Sequence, residues 1–198
     1  AYTDETGAIF ANREFVESYE KGDLRAAEKQ FYYTSFSLRS DRNKTRDLGG
    51  YYIYKLFDTE AQLSTTSSGL NWTVMRYAEV LLTYAEASNE ANGPSAAAYD
   101  AVNAIRRRAK LPDLSGLTKE ELRDAILKER WHELSFENKT WFDMTRLRKA
   151  FNVSTKKFEN FVGHKFSYGP VLKERELLFP IPTAEIRNNN QLKQNTGY

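Results

Sequence analysis

The chain has 198 residues, no cysteine, and a net charge of +2 from 29 basic and 27 acidic side chains. A balance this even gives no electrostatic footprint for nucleic acid, and zero cysteine excludes disulfides, thiolate nucleophiles and cysteine-held metals. Hydrophobic residues at 40% against 28% charged predict a packed globule, and no apolar run approaches the ~20 residues of a membrane helix.

Residues 1 to 71 read as a mixed, loop-rich part. Glu14 to Glu20 predicts a short helix ending at Gly22, and Arg25 to Gln30 another. From Phe31 to Arg39, Tyr, Thr, Phe and Ser alternate as in a strand, and Tyr51 to Phe57 is a second β candidate after Gly49-Gly50. Ser64 to Gly69 reads as a polar loop.

Residues 72 to 150 read as a helical core. Over 72 to 92, Val74, Tyr77, Ala78, Leu81, Leu82 and Ala85 follow the three-and-four spacing of one apolar helix face. Asn92-Gly93-Pro94 stops that helix, and Ser95 caps a second through Ala109, with Ala98, Ala101, Val102, Ile105 and Ala109 apolar. The turn is short, so the two pack antiparallel, with alanines permitting close approach. The pair is about one tetratricopeptide unit of ~34 residues, and a lone unit needs neighbours to bury its faces. Thr118-Lys119-Glu120-Glu121 is a capping box opening a third helix to about Phe136, buried on Leu122, Ala125, Ile126 and Leu134. A fourth helix runs from Thr140 to Lys149.

Residues 151 to 198 read as loop followed by a strap. Leu-Leu-Phe-Pro-Ile-Pro-Thr-Ala-Glu-Ile (177 to 186) is too irregular for a helix and too apolar for a tail. Pro180 and Pro182 bracket Ile181 and force an extended path. The whole is expected to form one domain. The chain begins at Ala1 with no signal peptide, as expected of a mature form or an excised piece.

Few residues suggest bond chemistry. Glu129, Glu133 and Glu137 line up on a continuous helix, but carboxylates four apart share one surface, whereas a glycosidase pair flanks its sugar. Ion pairs with arginines such as Arg76, Arg106 or Arg146 are the stronger reading. Arg106-Arg107-Arg108 suits a helix C-terminus. His132 and His164 have no partner at metal spacing, and neither a phosphate loop nor a catalytic triad appears. No catalytic residue, cofactor or metal is assigned. The aromatics remain: 12 Tyr, 12 Phe and 3 Trp. Tyr32, Tyr33, Tyr51, Tyr52 and Trp72 are the ligand-binding candidates, since loop rings can stack on the C–H faces of sugars. Core packing is the bland reading for each, and the stronger one.

Three blocks converge on a resemblance. They are Arg76-Tyr77-Ala78-Glu79-Val80-Leu81-Leu82-Thr83-Tyr84-Ala85-Glu86-Ala87; Lys128 to Glu137 (KERWHELSFE) with Trp141-Phe142-Asp143-Met144; and the Pro-Ile-Pro strap ending Gln194-Asn195-Thr196-Gly197-Tyr198. In this order they resemble the C-terminal region of the SusD/RagB family, and Gly22-Asp23-Leu24-Arg25 resembles an earlier landmark of it. Two departures stand out. Glu137-Asn138-Lys139-Thr140 replaces the usual Glu-Gly-x-Arg, and Thr196 replaces the proline of Gln-Asn-Pro-Gly-Tyr.

The resemblance implies a mainly α fold, an α-α superhelix with a tetratricopeptide-like helix pair, long irregular loops and minor β. It implies a surface lipoprotein of the outer membrane that binds oligosaccharides or polysaccharides without chemistry and hands them to a TonB-dependent SusC-like transporter. The lipid anchor and much of the ligand surface would lie upstream. A module that only docks the transporter, or peptide capture, is the alternative.

Overall fold

A computed structural model describes residues 10–38, 41, 43–64 and 68–198. The expectation for Arg39 and for the middle of the Ser64–Gly69 loop therefore falls outside the described residues. The fold is mainly helical, with a tetratricopeptide-like helix pair and small sheets. The chain divides into two compact units, one up to His132 and one from Glu133.

The first unit opens with strand β1 (Phe10–Ala11) and helix α1 (Arg13–Glu17), whose cap is Asn12: its Oδ1 accepts the Phe15 amide at 3.3 Å. The helix expected over Arg25 to Gln30 is only a 3-10 turn, Leu24–Ala26. Asp23 starts that turn by accepting the Arg25 amide at 2.9 Å, and Lys29 at φ +57° prevents its continuation. Strands β2 (Tyr32–Ser37) and β3 (Thr45–Ile53) follow, and β1 and β2 flank β3 in an antiparallel sheet. The second strand begins earlier than expected because Gly49-Gly50 sits inside it. The register runs Tyr33 opposite Tyr52, then Ser35 opposite Asp47, so β3 carries a bulge that Gly49 turns at φ +69°. A short helix, α2 (Thr59–Ser64), precedes the helical core.

Helix α3 (Tyr77–Asn92) starts five residues later than the apolar spacing predicts. Residues 71–74 (Asn-Trp-Thr-Val) are poor helix formers, and Val74 and Tyr77 both project into solvent. Gly93 ends α3 and Ser95 caps α4 (Ala96–Arg108), its hydroxyl accepting the Ala98 amide at 3.3 Å. The two helices pack on each other through Ala78, Leu82 and Ala85 of α3 and Ala98, Ala101, Val102 and Ile105 of α4, all buried. Helix α5 (Lys119–Glu133) opens with the expected capping box: the Thr118 amide donates to Glu121 at 2.8 Å and the Glu121 amide to the Thr118 hydroxyl at 3.3 Å. It ends at Glu133, three residues short of the predicted stop. Among the described residues no helix is long and apolar enough to cross a membrane.

In the second unit, Phe136 and Asn138 take left-handed backbone at φ +63° and +59°. Glu137 therefore leaves the helical line of Glu129 and Glu133, which corrects the three-carboxylate stripe. Asn138 stands where the resemblance leads one to expect glycine, and asparagine is among the side chains that tolerate this region best. Helix α6 (Thr140–Leu147) stops at Arg148, φ +51°, so Lys149 opens a strand rather than closing the helix. Strands β4 (Lys149–Asn152) and β5 (Lys157–Asn160) form a hairpin where loop was expected, with Phe151 opposite Phe158. Four-residue strands are too short for alternation to register in sequence.

The strap follows a 3-10 turn at Glu174–Leu177 and runs extended from Leu178 to Pro182. Helix α7 (Thr183–Asn188) then starts behind Pro182, so the latter half of the 177-to-186 segment is helical after all. Proline suits a helix start, where its missing N–H is not needed. The last five residues clasp the strap with their side chains. Gln194 brackets Ile181, accepting its amide at 2.8 Å and donating to its carbonyl at 2.9 Å. Asn195 donates to the Phe179 carbonyl at 2.7 Å and the Tyr198 hydroxyl to the Leu178 carbonyl at 3.0 Å. Gly197, at φ +96°, leaves no room for a side chain: a Cβ there would meet Arg175 Cβ at 2.8 Å.

Candidate functional site

The aromatic candidates gather on the three-stranded sheet of the first unit. Side chains alternate across a strand, so Tyr32 and Tyr33 point to opposite faces, as do Tyr51 and Tyr52. The inner row is Tyr32 and Tyr51, whose rings meet edge-on at 6.5 Å. Tyr32 is 1% exposed, and its hydroxyl is 2.9 Å from that of Tyr19. Tyr51 is half-buried, with the Arg13 guanidinium 5.8 Å from its ring centre.

The outer row is Tyr52 and Tyr33 with Tyr54, Phe57 and Phe10. Tyr33 is buried at the centre of this cluster, 5.9 Å from Tyr52, 5.8 Å from Tyr54 and 5.4 Å from Phe57, all steeply tilted. Tyr54 and Phe57 stack nearly parallel, 5.1 Å apart at 15°. Tyr52, Tyr54 and Phe57 are half-exposed, and Phe10, 6.4 Å from Tyr52, is open to solvent. The outer row thus presents ring edges and faces to water around a buried Tyr33. Trp72 lies apart in sequence, on the irregular segment before α3, and is 51% exposed.

A buried charge network lies on the other side of Tyr19, the partner of the inner row. Arg25 binds Asp23 through Nε at 2.9 Å and Nη2 at 2.7 Å, and reaches Glu129 of α5 through Nη1 at 2.6 Å. Arg106 of α4 donates to the second Glu129 oxygen at 3.1 Å, to both oxygens of Glu20, and to the Pro112 carbonyl. These bonds from Arg106 hold the Glu20 carboxyl below its ordinary range. Burial pushes the Glu129 carboxyl up, while two guanidinium groups oppose the shift. The role expected of Glu129, an ion pair with Arg106, is observed, and Arg25 is the partner that the spacing did not reveal. Of the other arginines considered, Arg146 instead pairs with Asp143 at 2.9 Å.

His132 closes the network toward α1. A carbonyl can only accept, so Nδ1 donates to the Lys128 carbonyl at 2.9 Å. Nε2 of the neutral ring is then an acceptor 2.8 Å from the Ser18 hydroxyl, whose single proton it shares with the Phe15 carbonyl at 2.7 Å. Burial, with the nearby Arg25 charge, pulls the imidazole down to about 3. The Tyr19 ring lies tilted against this ring at 4.3 Å, and its hydroxyl donates to the His132 carbonyl at 2.9 Å. A cavity of 260 Å³ lies against the network, with Leu114, Leu117, Ala125, Lys128 and Glu121 completing its wall. Every charged group buried here has a counter-charge, so the geometry describes a clamp between Tyr19–Arg25, α4 and α5. The landmark Gly22-Asp23-Leu24-Arg25 is the part of the sequence that builds it.

Comparison with known proteins agrees with this picture. The pattern that defines the SusD family matches residues 8–198. SusD-like protein P2 of Formosa agariphila is 36% identical over 185 residues, covering 84% of this chain and 33% of that protein. A solved SusD superfamily protein from Parabacteroides distasonis superposes with a TM-score of 0.91 at 42% identity, over 96% of this chain and 42% of that one. Surface glycan-binding protein A from Bacteroides uniformis shares the fold, with a TM-score of 0.63 at 22% identity over 93% of this chain and 40% of that one. The chain spans about a third of the length of the curated relatives it matches. By the match over nearly its entire length, the chain belongs to the SusD family.

Proposed function

We propose that the chain is part of a nutrient-binding protein that captures oligosaccharides or polysaccharides at the cell surface and passes them to a TonB-dependent SusC-like transporter. Family membership is the observation that carries this reading. The outer membrane is its proposed location, through a lipid anchor outside this sequence. Binding would rest on ring stacking and hydrogen bonds, with no bond chemistry: the buried Asp23, Glu79 and Glu129 carboxylates are engaged by arginines, and the half-exposed rings of Tyr52, Tyr54 and Phe57, with exposed Phe10 and Trp72, supply stacking surface. Tyr32 and Tyr33, by their burial, support the surface from beneath. Isothermal titration of the protein against a polysaccharide panel tests the reading. Binding to at least one glycan is expected, with weaker binding in Tyr52→Ala. Binding to peptides alone would replace this reading with peptide capture.

A second reading, docking onto the transporter, is favoured by one observation. Helix α3 turns Tyr77, Val80 and Tyr84 outward, with Tyr77 74% exposed, while Tyr32 and Tyr33 are buried. Under this reading, Tyr77→Ser with Tyr84→Ser lowers recovery of the transporter in co-purification and leaves glycan affinity unchanged.

A further inference from the structure

Residues 163–172 of the second unit make a tight hairpin with a ring pair at its tip. The Gly163 amide donates to the Leu172 carbonyl at 2.8 Å and the Leu172 amide to the His164 carbonyl at 2.9 Å. Nearer the tip, the Phe166 amide donates to Pro170 and the Gly169 amide to Phe166, each at 2.9 Å. Gly169 turns the tip at φ +118°, a conformation that side chains rarely adopt. His164 and Leu172 are buried and anchor the hairpin. His164 Nδ1 lies 2.6 Å from Glu159 Oε1 on β5, and its ring stands edge-on to Phe166 at 4.9 Å. Phe166 in turn stacks on Tyr168, 5.0 Å away at 16°. The run Glu159–His164–Phe166–Tyr168 thus gives the last ring one stacked neighbour, itself held edge-on by a buried histidine. Tyr168 nevertheless stays 70% exposed.

We propose that Tyr168 is a sugar-stacking site, taking the apolar C–H face of one pyranose ring, in addition to the aromatics of the sheet. The inference rests on the glycan-binding reading above. The open face of the ring is apolar surface that a stacked ligand takes out of water. The stack on Phe166 already favours one orientation, so less freedom is lost when a ligand docks. One ring face is the size of one sugar, and far below the ~800 Å² per partner that a standard protein interface covers. The Tyr168 hydroxyl and the exposed ammonium of Lys165, on the same hairpin, offer hydrogen-bond donors to sugar hydroxyls.

The test is titration of wild type, Tyr168→Ala and Tyr168→Phe with amylopectin, xylan, laminarin and alginate. Tyr168→Ala is expected to weaken binding about tenfold and Tyr168→Phe by no more than about twofold. In the unsubstituted protein, ring protons of Tyr168 are expected to shift on titration with the bound glycan. If wild type and Tyr168→Ala bind one of these glycans equally and the ring protons stay still, the tip site is overturned and the general reading stands. If wild type binds none of the four, the tip site and the general reading are both overturned. If Tyr168→Ala instead impairs binding of a protein partner with glycan affinity intact, the tip is a docking point and the sugar site is overturned.

Discussion

Arg25 joins three segments with one guanidinium: it is bidentate to Asp23, reaches Glu129 on α5, and lies 5.7 Å from the centre of the Tyr19 ring. Removing it leaves two buried carboxylates without that cation. Arg25→Ala is expected to cost about 3–5 kcal/mol, read by denaturant unfolding; a loss below about 1 kcal/mol would reduce the network to decoration. His132 makes a second prediction at this scale. Its folded-state value of about 3 lies below the unfolded value near 6.5, so the unfolded chain takes up the proton first. Stability is complete above pH 6.5 and falls toward pH 3, by up to about 1.4 kcal/mol per unit. Glu20 works in the same direction but only lower, because its depressed carboxyl loses the bonds from Arg106 at more acid pH. Glu129 opposes both, because its raised carboxyl takes up a proton in the folded state first, so the histidine is isolated by comparing wild type with His132→Gln between pH 7 and 5, where the substitution should flatten the slope. An unchanged slope would place the acid sensitivity elsewhere.

At the scale of the element, the C-terminal clasp explains the segment that is oddest in sequence. Of the three residues Pro180-Ile181-Pro182, only Ile181 has an amide proton, and Gln194 takes it while returning a bond to the carbonyl. One side chain does the work of a neighbouring strand. The turn after it runs from Asn195 to Tyr198, whose amide donates back at 3.3 Å, with Gly197 at φ +96° in third place. That is the pattern of a type II turn, which favours proline in second place. Thr196→Pro is therefore expected to stabilise by about 0.4–1 kcal/mol, through the unfolded chain, as a rise in melting temperature. A fall would mean that the Thr196 backbone does not suit proline. Elements with their own chemical signals were legible: the Ser95 cap, the Thr118 capping box and the alanine faces of α3 and α4. Those decided by tertiary bonds were not. Asp23 and Lys29 cut the Arg25–Gln30 helix to a turn, Arg148 ended α6 early, and the β4–β5 hairpin was too short to show its period.

At the scale of the whole molecule, the three sequence blocks map to α3, to α5 with α6, and to the strap, and the earlier landmark maps to the Arg25 network. The family was legible because these blocks encode local necessities: a packing face, a charge clamp, a glycine with no space beside it. The candidate site was legible in residue type but not in depth. Adjacent tyrosines look alike in sequence, and only the sheet decides that Tyr32 is internal and Tyr52 half-exposed. The outward side chains of α3 make a further prediction. Tyr77→Ser and Tyr84→Ser should each leave stability within about 0.5 kcal/mol of wild type, because both rings are more than half exposed; a larger loss in thermal melts would show that they brace the helix pair. The sheet is, in effect, a two-sided part. Tyr32 fastens it to the body through a hydroxyl bond that phenylalanine could not make. One residue along, Tyr33 and Tyr52 dress the opposite side. Selection can therefore redecorate the outer side to suit a new ligand without loosening the fastening, provided no insertion shifts the strand by a single residue and exchanges the two.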